Sequence, residues 1–263
     1  MKILILGGNR FVGQRLAENL VNEYSVTVFN RKGTGPEGAT IVKGDRNIAD
    51  DLNQLLFDSF DVVIDFCLFK PEQFELMKPL ISSTTRYIFI SSASVGRPEW
   101  GAYGKEKEDC ELLVENHFED YLIIRPPYID GENSHRPRTA QIINQIENNQ
   151  PVTIDGDGEY LINIVWVDDM VDFILNEMFK IELGSKIVKV SSPLNLTMNE
   201  YIHLVASFLK KEVTIEEGVP FWAPALNLDM GDNSEDIKLN PVASKLYDFV
   251  QWYNIKGKEK YGY

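Results

Sequence analysis

The chain has 263 residues, enough to bury a sizeable core, and its 40 acidic and 26 basic residues give a net charge of −14 at pH 7. That charge repels a phosphate backbone, so nucleic acid is not expected as a partner. No run approaches the roughly 18 apolar residues that span a bilayer, and we expect a soluble, cytoplasmic protein without a membrane anchor.

The first predicted elements are a strand, a tight turn and a helix. Residues 3–6 are apolar, two glycines follow, and a helical pattern begins at Phe11. Glycine allows a sharp turn and a close backbone approach, and a helix N-terminus attracts anions such as a pyrophosphate. We therefore predict a dinucleotide-binding turn, although a plain turn before a packing helix has the same pattern. The predicted cofactor contacts here are Gly7, Asn9, Arg10, Phe11, Val12 and Gly13.

A second strand is predicted over residues 25–30, and its end bears on the choice of cofactor. In a dinucleotide fold an Asp or Glu here binds the ribose of NAD, whereas a neutral residue followed by a cation accommodates the extra phosphate of NADP. Asn30, Arg31 and Lys32 stand at this place, and with Arg10 they could form a cationic pocket. This interpretation favours NADP, with NAD as the alternative. Ordinary solvated surface charges are the competing explanation.

The next predicted strand, residues 40–43, runs into a turn that contains Asp45 and Arg46. Asp45 could accept a hydrogen bond from the adenine amine, or it could only cap the turn, and both interpretations stay open. A short helix is predicted over residues 50–57. The nearly all-apolar run that follows, residues 61–67, is typical of a strand covered on both faces.

A helix over residues 71–81 and a strand over residues 86–92 continue the alternation. Regular alternation of strands and helices predicts an α/β fold with a doubly wound parallel sheet, which binds ligands at the carboxyl ends of its strands. The two cysteines, Cys67 and Cys110, lack metal-type spacing. We therefore expect free thiols in a reducing compartment and no metal site.

Tyr103 and Lys107 lie four residues apart in the next helical pattern, so they share a helix face. A phenol has an ordinary pKa near ~10, and a nearby cation favours its ionised form. Tyr103 can then act as a general acid and base. Ser92, at the end of the preceding strand, could hydrogen-bond the substrate oxygen, and Lys107 could also hold the ribose of a nicotinamide. Taken alone, the Tyr-x-x-x-Lys spacing also suits an amphipathic surface helix.

The ordered motifs resemble the short-chain dehydrogenase/reductase superfamily, in its extended, epimerase/dehydratase-like branch, over about two-thirds of the chain. The resemblance rests on residues 7–13, 44–46 and 91–95, on Tyr103 with Lys107, and on residues 125–131 and 163–171.

The resemblance implies a Rossmann-type sheet with a small C-terminal substrate lobe. It also implies an NAD(P)-dependent oxidoreductase, or an epimerase or dehydratase, acting on a small carbonyl, hydroxyl or sugar-nucleotide-like substrate. By the same resemblance the catalytic triad is Ser92, Tyr103 and Lys107, and the further cofactor contacts are Asn30, Arg31, Asp45, Arg46, Cys67, Lys107 and Pro126.

The sequence also departs from the family pattern. Arg10 stands where the branch keeps its middle glycine, as in atypical members that include plastid RNA-associated proteins. Residues 66–68 replace the usual small residues after the fourth strand, and Gly96 stands where an aromatic residue is frequent. These departures support an alternative hypothesis, a non-catalytic dinucleotide-sensing or RNA-associated binding protein. The charge and the complete triad favour the enzyme.

The second half carries a strand over residues 121–125 and a helix that begins after Pro137. The loop between them contains a basic cluster that binds a substrate carboxylate or phosphate, or else is simply solvated. The basic cluster consists of His135, Arg136 and Arg138.

Residues 151–154 and 160–166 are predicted to pair as a hairpin around the turn at 155–158.

Further elements are predicted towards the C-terminus. A helix begins at residues 168–169 and runs to 179, and a strand covers 186–190. Thr197 caps a helix that ends at 209. A strand over 212–215 and a helix from about 240 to 252 complete the pattern. Between them, residues 221–224 either line the substrate lobe or pack as ordinary aromatic and apolar side chains.

No linker-like spacer or repeat interrupts the chain, so residues 1–263 are predicted to form one structural unit. The dinucleotide-binding core takes about 1–130 with contributions from 151–192, and the substrate lobe takes 131–150 and 193–263. The expected partner is a small-molecule substrate. A homodimer and a monomer are both compatible with the sequence.

Overall fold

The predicted alternation of strands and helices is present in a computed structural model that describes residues 1–55, 60–181, 184–218, 228, 230 and 237–263. The chain divides into two compact units. The first contains Met1–Pro126 and Val171–Lys189, and the second contains Pro127–Met170 and Val190–Tyr263. The expectation of a single structural unit with a substrate lobe stays a prediction.

The described strands, in chain order, are β1 (Lys2–Leu6), β2 (Ser25–Asn30), β3 (Thr40–Lys43), β4 (Val62–Asp65), β5 (Arg86–Ile90), β6 (Tyr121–Arg125), β7 (Tyr128–Asp130), β8 (Val152–Ile154), β9 (Leu161–Ile162), β10 (Ile164–Trp166), β11 (Lys186–Ser191), β12 (Leu196–Thr197), β13 (Ile215–Glu217) and β14 (Ile237–Lys238).

The described helices are α1 (Phe11–Leu20), α2 (Ala49–Leu52), α3 (Pro71–Met77), α4 (Ala102–His117), α5 (Arg138–Glu147), α6 (Val167–Met178), α7 (Met198–Leu209), α8 (Val242–Trp252) and α9 (Lys258–Tyr261). Short 3-10 turns follow α2 and α3 and precede α4, and a π-helical turn joins α8 to α9. None of the described helices combines the length and apolar character needed to cross a membrane.

The central sheet has eight strands in the order β14-β11-β6-β5-β4-β1-β2-β3. Its neighbouring strands pair in parallel, as in the register of Ile5 with Val28 on one side of β1 and with Ile64 on the other. The strand order reverses between β1 and β4, and parallel α/β sheets bind ligands at the carboxyl ends of the strands beside such a reversal. The predicted doubly wound α/β fold is confirmed.

The core of the first unit explains why its strands are apolar throughout. Strands β1, β4 and β5 are almost wholly buried, since helices cover a parallel sheet on both faces. Phe74 of α3 packs edge-on against Tyr87 of β5, and Tyr87 stacks on Phe118 with 4.2 Å between ring centroids. Close packing of these rings holds α3 and α4 to the sheet.

The second unit has its own core, built from α5, α7, α8 and the short strands β8, β9 and β10. Trp166 donates a hydrogen bond from Nε1 to the carbonyl of Val242 at 2.8 Å, which ties β10 to the start of α8. The predicted cap of α7 is confirmed. Thr197 Oγ1 accepts from the backbone N–H of Glu200 at 3.1 Å, and the Glu200 carboxylate accepts from the Thr197 N–H at 2.8 Å.

The predicted hairpin of residues 151–154 with 160–166 is wrong. β8 pairs in parallel with β13, β9 pairs antiparallel with β12, and β10 pairs in parallel with β7. The turn between them is instead held by α7, because Asn199 Nδ2 donates to the Asp157 carbonyl and the Asn199 N–H donates to the Gly158 carbonyl. Residues 221–224, named above as lining the lobe or packing, lie outside the described residues.

Candidate functional site

The turn after β1 has the backbone shape that its glycines predict. Gly7 has φ +89°, and its N–H donates to the Phe29 carbonyl at 3.0 Å. A side chain at Gly7 would place its Cβ 3.3 Å from the Cβ of Cys67. One at Gly13 would lie 3.0 Å from the Gly7 carbonyl oxygen, so α1 packs tightly onto the turn. Larger residues at these two positions would push the turn open.

The N-terminus of α1 faces out of this turn with an arrangement suited to an anion. Arg10 occupies the cap position with extended backbone, its side chain is exposed, and no described side chain hydrogen-bonds to cap the helix there. The first turn of α1 has no acidic residue. Phe11 has φ 47°, an uncommon conformation for a residue with a side chain. Helix N–H groups without a side-chain cap can bind a pyrophosphate.

Asn30, at the end of β2, is buried and folds the loop that follows it. Its Oδ1 accepts from the N–H groups of Lys32 and Gly33 at 3.1 and 3.0 Å, and its Nδ2 donates to the Thr34 carbonyl at 2.7 Å. Asn9 joins the same loop, donating to Thr34 Oγ1 at 3.4 Å. Asn30 therefore shapes the loop that exposes the predicted cofactor contact Arg31.

Asp45 lies at the end of β3, partly exposed, and its carboxylate engages Asn47. It accepts from the backbone N–H of Asn47 at 3.0 Å and from Nδ2 at 2.6 Å. The backbone hydrogen bond from Asn47 lowers the pKa of Asp45 below its ordinary value. Asp45 thus caps its own turn, and its ionised carboxylate keeps acceptor capacity for a further donor.

Arg46, predicted to contact the cofactor, is turned into the core of the first unit. Its guanidinium forms a buried ion pair with Asp65 at 2.7 Å and lies 3.3 Å from the sulfur of Cys67. Asp65 also accepts from Tyr87 Oη and from the Cys67 N–H, at 2.7 and 2.9 Å. The buried ion pair therefore holds Cys67, two residues after the end of β4, beside Gly7.

The charges in this cluster are stabilised by one another. Burial raises the pKa of the Asp65 carboxyl, but the charge and hydrogen bond of Arg46 and the hydrogen bonds from Cys67 and Tyr87 together lower it below its ordinary value. Burial raises the pKa of the Cys67 thiol to about 11. Cys67 is therefore protonated at neutral pH, and both cysteines are free. In the described part of the chain, no three His, Cys, Asp or Glu side chains are grouped to hold a metal ion.

Lys107 projects from α4 into a closed space and is only 1% exposed. Its Nζ donates to the carbonyls of Leu68 at 2.7 Å and Ile90 at 2.9 Å. The rings of Phe69 and Phe89 lie on it at 4.8 and 4.6 Å from Nζ to the ring centroids. Burial lowers the pKa of Lys107 to about 8.

Tyr103 lies one helical turn before Lys107 but is 40% exposed. The two side chains share a helix and differ in depth, which the spacing alone does not predict. Gly104 explains how α4 reaches the loop after β5, because a Cβ there would lie 2.5 Å from the Ser94 carbonyl oxygen. In that loop Ser92 Oγ accepts from Ser94 Oγ at 2.9 Å and from the Ser94 N–H at 3.1 Å. The structure thus brings the Ser92 loop against the start of the helix that bears Tyr103 and Lys107.

A second ion pair, between buried Glu111 and partly buried Arg125, lies further along α4, and sequence reasoning missed it. Glu111 of α4 accepts a hydrogen bond from Ser91 and forms an ion pair with Arg125 at 2.5 Å. Pro126, predicted as a cofactor contact, accepts from the Ala93 N–H through its carbonyl at 2.9 Å. The available signals were that Glu111 stands four residues after Lys107, on the same helix face, and that Arg125 ends the next apolar run.

In the second unit only part of the predicted basic cluster turns inward. Arg138 lies over the ring of Tyr128, 4.7 Å from the guanidinium carbon to the ring centroid, whereas His135 and Arg136 are exposed. Asp130 is buried beside them and accepts from the N–H and Oγ1 of Thr139 at 2.8 and 2.7 Å. Burial raises the pKa of Asp130.

Comparison with known proteins agrees with this architecture. No protein-family model matches the chain. A curated relative, the chloroplast stem-loop binding protein of 41 kDa b from Arabidopsis thaliana, is 25% identical over 229 residues. The alignment covers 75% of this chain and 60% of the relative, so the chain spans less than two thirds of that protein.

Solved structures match over nearly the whole chain. A UDP-glucose 4-epimerase from Thermotoga maritima with UDP-glucose has a TM-score of 0.74 at 18% identity, covering 97% of this chain and 99% of the other. A dTDP-glucose 4,6-dehydratase from Bacillus anthracis in complex with NAD has a TM-score of 0.76 at 16% identity, covering 98% of each. The Rossmann-type α/β fold predicted from the family resemblance is confirmed.

Proposed function

We propose that the first unit binds a nicotinamide dinucleotide and that the chain is an oxidoreductase, or an epimerase or dehydratase, acting on a small hydroxyl, carbonyl or sugar-nucleotide-like substrate. The observation that carries this proposal is the close approach of α4 to the Ser92 loop at Gly104, beside the strand-order reversal. The NAD and UDP-glucose complexes of proteins with the same fold support it.

Several features of the first unit fit the dinucleotide. The uncapped start of α1 and the positive φ of Gly7 suit a pyrophosphate, which needs N–H donors and a close backbone approach. Asp45, at the end of β3, would accept from the adenine amine. When bound, the nicotinamide supplies or accepts a hydride.

The proton chemistry belongs to this chain's own residues. Tyr103 would take the proton of a substrate hydroxyl or return one to a carbonyl oxygen, and 40% of the residue is exposed to solvent. Ser92 would hydrogen-bond the same substrate oxygen and orient it. The Lys107 ammonium would donate to the nicotinamide ribose hydroxyls.

NADP is the proposed form of the cofactor. The loop after β2 exposes Arg31 and Lys32, and Asn30 stands where a carboxylate would bind the ribose of NAD. NAD is the form named in the complexes of the similar structures, so it stays the alternative.

Replacing Tyr103 with Phe tests the reaction. The Tyr103→Phe variant should lose at least about 100-fold in turnover, because general acid–base catalysis contributes roughly 10² to 10⁴. Its affinity for the dinucleotide should stay within about twofold, since the ring is retained. Turnover is measured over a panel of sugar nucleotides and small carbonyl compounds. Tyr247→Phe, an exposed tyrosine of the second unit, is the matched control. Turnover retained in Tyr103→Phe would exclude the proposed role.

A second candidate function is RNA binding, favoured by the name of the curated relative. The net charge of −14 opposes it, because each phosphate contact must be offset by a local cation. The exposed Arg31, Lys32 and Arg136 are among the cations that such a role would need to use. Steeply salt-dependent binding of a hairpin RNA, without turnover on the panel, would make this candidate the better one.

A further inference from the structure

We infer that Phe69, with the backbone of its loop, is a movable cover over the Lys107 ammonium, and that this cover must open before a ligand hydroxyl can reach Lys107. The inference rests on the proposed function for the identity of the ligand. The cover consists of residues 68–70, between β4 and α3. Phe69 is thereby a positioning residue for Lys107, and it directly follows residues 66–68, which stand in place of the small residues usual in the family that the sequence resembles.

The Lys107 ammonium is contacted by residues of strand β5 on one side and by residues of the loop after β4 on the other. Ile90 and Phe89 belong to β5, whose residues pair with β4 and β6 and are buried. Leu68 and Phe69 belong to a loop and supply the other carbonyl and the other ring. With Lys107 only 1% exposed, a ribose oxygen can approach Nζ only if the loop after β4 moves.

Phe69 has the exposure expected of a cover. One face of its ring lies on the ammonium, yet 43% of the residue is exposed to solvent. A ring that only filled the core would be buried like Phe89, which is 0% exposed. Removing the ring would therefore uncover Lys107 without opening the interior of the first unit.

One side chain holds the cover closed. Gln73, buried in the first turn of α3, accepts from the N–H groups of Phe69 and Lys70 at 2.8 and 3.2 Å. Gln73 also donates to Asn47 Oδ1 at 2.9 Å, and Asn47 donates to Asp45 at 2.6 Å. The cover is thus tied by hydrogen bonds to the turn proposed to bind adenine.

Lysine labelling of the whole protein tests the cover directly. A short pulse of an amine-reactive reagent at pH 8, followed by mass spectrometry, gives the reaction rate of Lys107 relative to exposed Lys105 on the same helix. Phe69→Ala should raise this ratio about tenfold, the range that loss of a desolvated cation–π contact allows. Gln73→Met, which removes the two acceptor bonds, should raise it in the same direction.

Phe179→Ala is the matched control, because Phe179 is 44% exposed in the same unit and packs on Tyr24 rather than on a lysine. Phe179→Ala should leave the labelling ratio unchanged.

The apparent Kd for NADP or NAD should fall several-fold in Phe69→Ala, because the free-energy cost of opening the cover no longer reduces the affinity. Equal labelling of Lys107 in Phe69→Ala, Gln73→Met and wild type would overturn the inference, and so would an apparent Kd that is unchanged or higher in Phe69→Ala.

The two proposals fail in different ways. If neither dinucleotide binds any variant, the proposed function is wrong, while the labelling ratio still decides whether Phe69 covers Lys107. If the dinucleotide binds wild type and Phe69→Ala equally, with unequal labelling, Lys107 is covered but does not hold the ligand, and the inference is overturned.

Discussion

Burial of the Lys107 ammonium makes the stability of the protein depend on pH. The pKa of Lys107 is lowered to about 8 in the folded protein, against an ordinary value of about 10.4. Between these two values the unfolded chain binds more protons than the folded one. The free energy of unfolding therefore rises with pH across this window, and the cost of burying the charge is present in full below about pH 8.

Comparison of wild type with Lys107→Met isolates this effect, because other groups titrate alike in both proteins. From pH 7 to pH 9.5 the wild type should gain about 2 kcal/mol relative to the variant, at 1.36 kcal/mol per pH unit above the folded-state pKa. Urea unfolding at the two pH values measures it. Lys105→Met, on the exposed side of α4, should show no such change. A difference that stays constant with pH would mean that Lys107 is not buried as a cation.

Residue types and spacing named candidate members of the site, and those members stay predictions, but they did not give the depth of each side chain. The Tyr103–Lys107 spacing places both residues on one helix, whereas only packing decides that Tyr103 is exposed and Lys107 is enclosed. The sequence pattern around Arg46 does not show that its guanidinium is buried. The structure pairs it with Asp65, which lies 19 residues later in the sequence. Contacts between residues far apart in sequence cannot be read from local pattern, since they depend on how the strands assemble.

At the scale of elements, the position of α4 depends on a glycine within the helix. The Cβ that any other residue would add at Gly104 meets the Ser94 carbonyl oxygen at 2.5 Å, well inside contact distance. The helix also lies between two buried anchors, Lys107 on β5 and Glu111 on Arg125. Because these anchors fix the helix, a larger residue at position 104 has to displace the Ser92 loop.

Gly104→Ala should therefore reduce turnover strongly although alanine favours helix. We expect a loss of about 1 to 3 kcal/mol in the free energy of unfolding, as overpacked sites show. We also expect a fall in kcat of about tenfold or more, because Ser92 would move from its proposed place beside the substrate oxygen. Denaturant unfolding and steady-state kinetics measure the two effects. Lys105→Ala, the next residue and exposed, should change neither by much. Full activity in Gly104→Ala would contradict the close approach.

The elements themselves were largely predictable, and their pairings in the second unit were not. Strands 25–30, 40–43 and 121–125 have the predicted bounds, because each is a run of mainly apolar or β-branched residues between polar ones. Residues 151–154 and 160–166 are also predicted as strands, and β8, β9 and β10 lie within them, yet their partners are β13, β12 and β7. Short strands carry little register information, so their partners are chosen by the packing of α5 and α7.

At the scale of the whole molecule, charge and fold point to a small-molecule ligand. A net charge of −14 disfavours extended contact with a phosphate backbone, while a glycine turn and a helix N-terminus suffice for one pyrophosphate. The curated relative that binds a stem-loop by name shares only part of its length with this chain. The two candidate functions therefore predict different ligands: the enzyme binds a dinucleotide, and the RNA-binding protein binds a hairpin RNA.

The most direct test is a titration of the intact protein with NADP, NAD and a hairpin RNA, followed by thermal unfolding. The account predicts that NADP stabilises the protein at lower concentration than NAD, by about 2.7 kcal/mol at a hundred times its Kd, and that the RNA has no effect at physiological salt. Stabilisation by NAD at concentrations where NADP has no effect would contradict the choice of cofactor. Stabilisation by the RNA with no response to either dinucleotide would contradict the central claim.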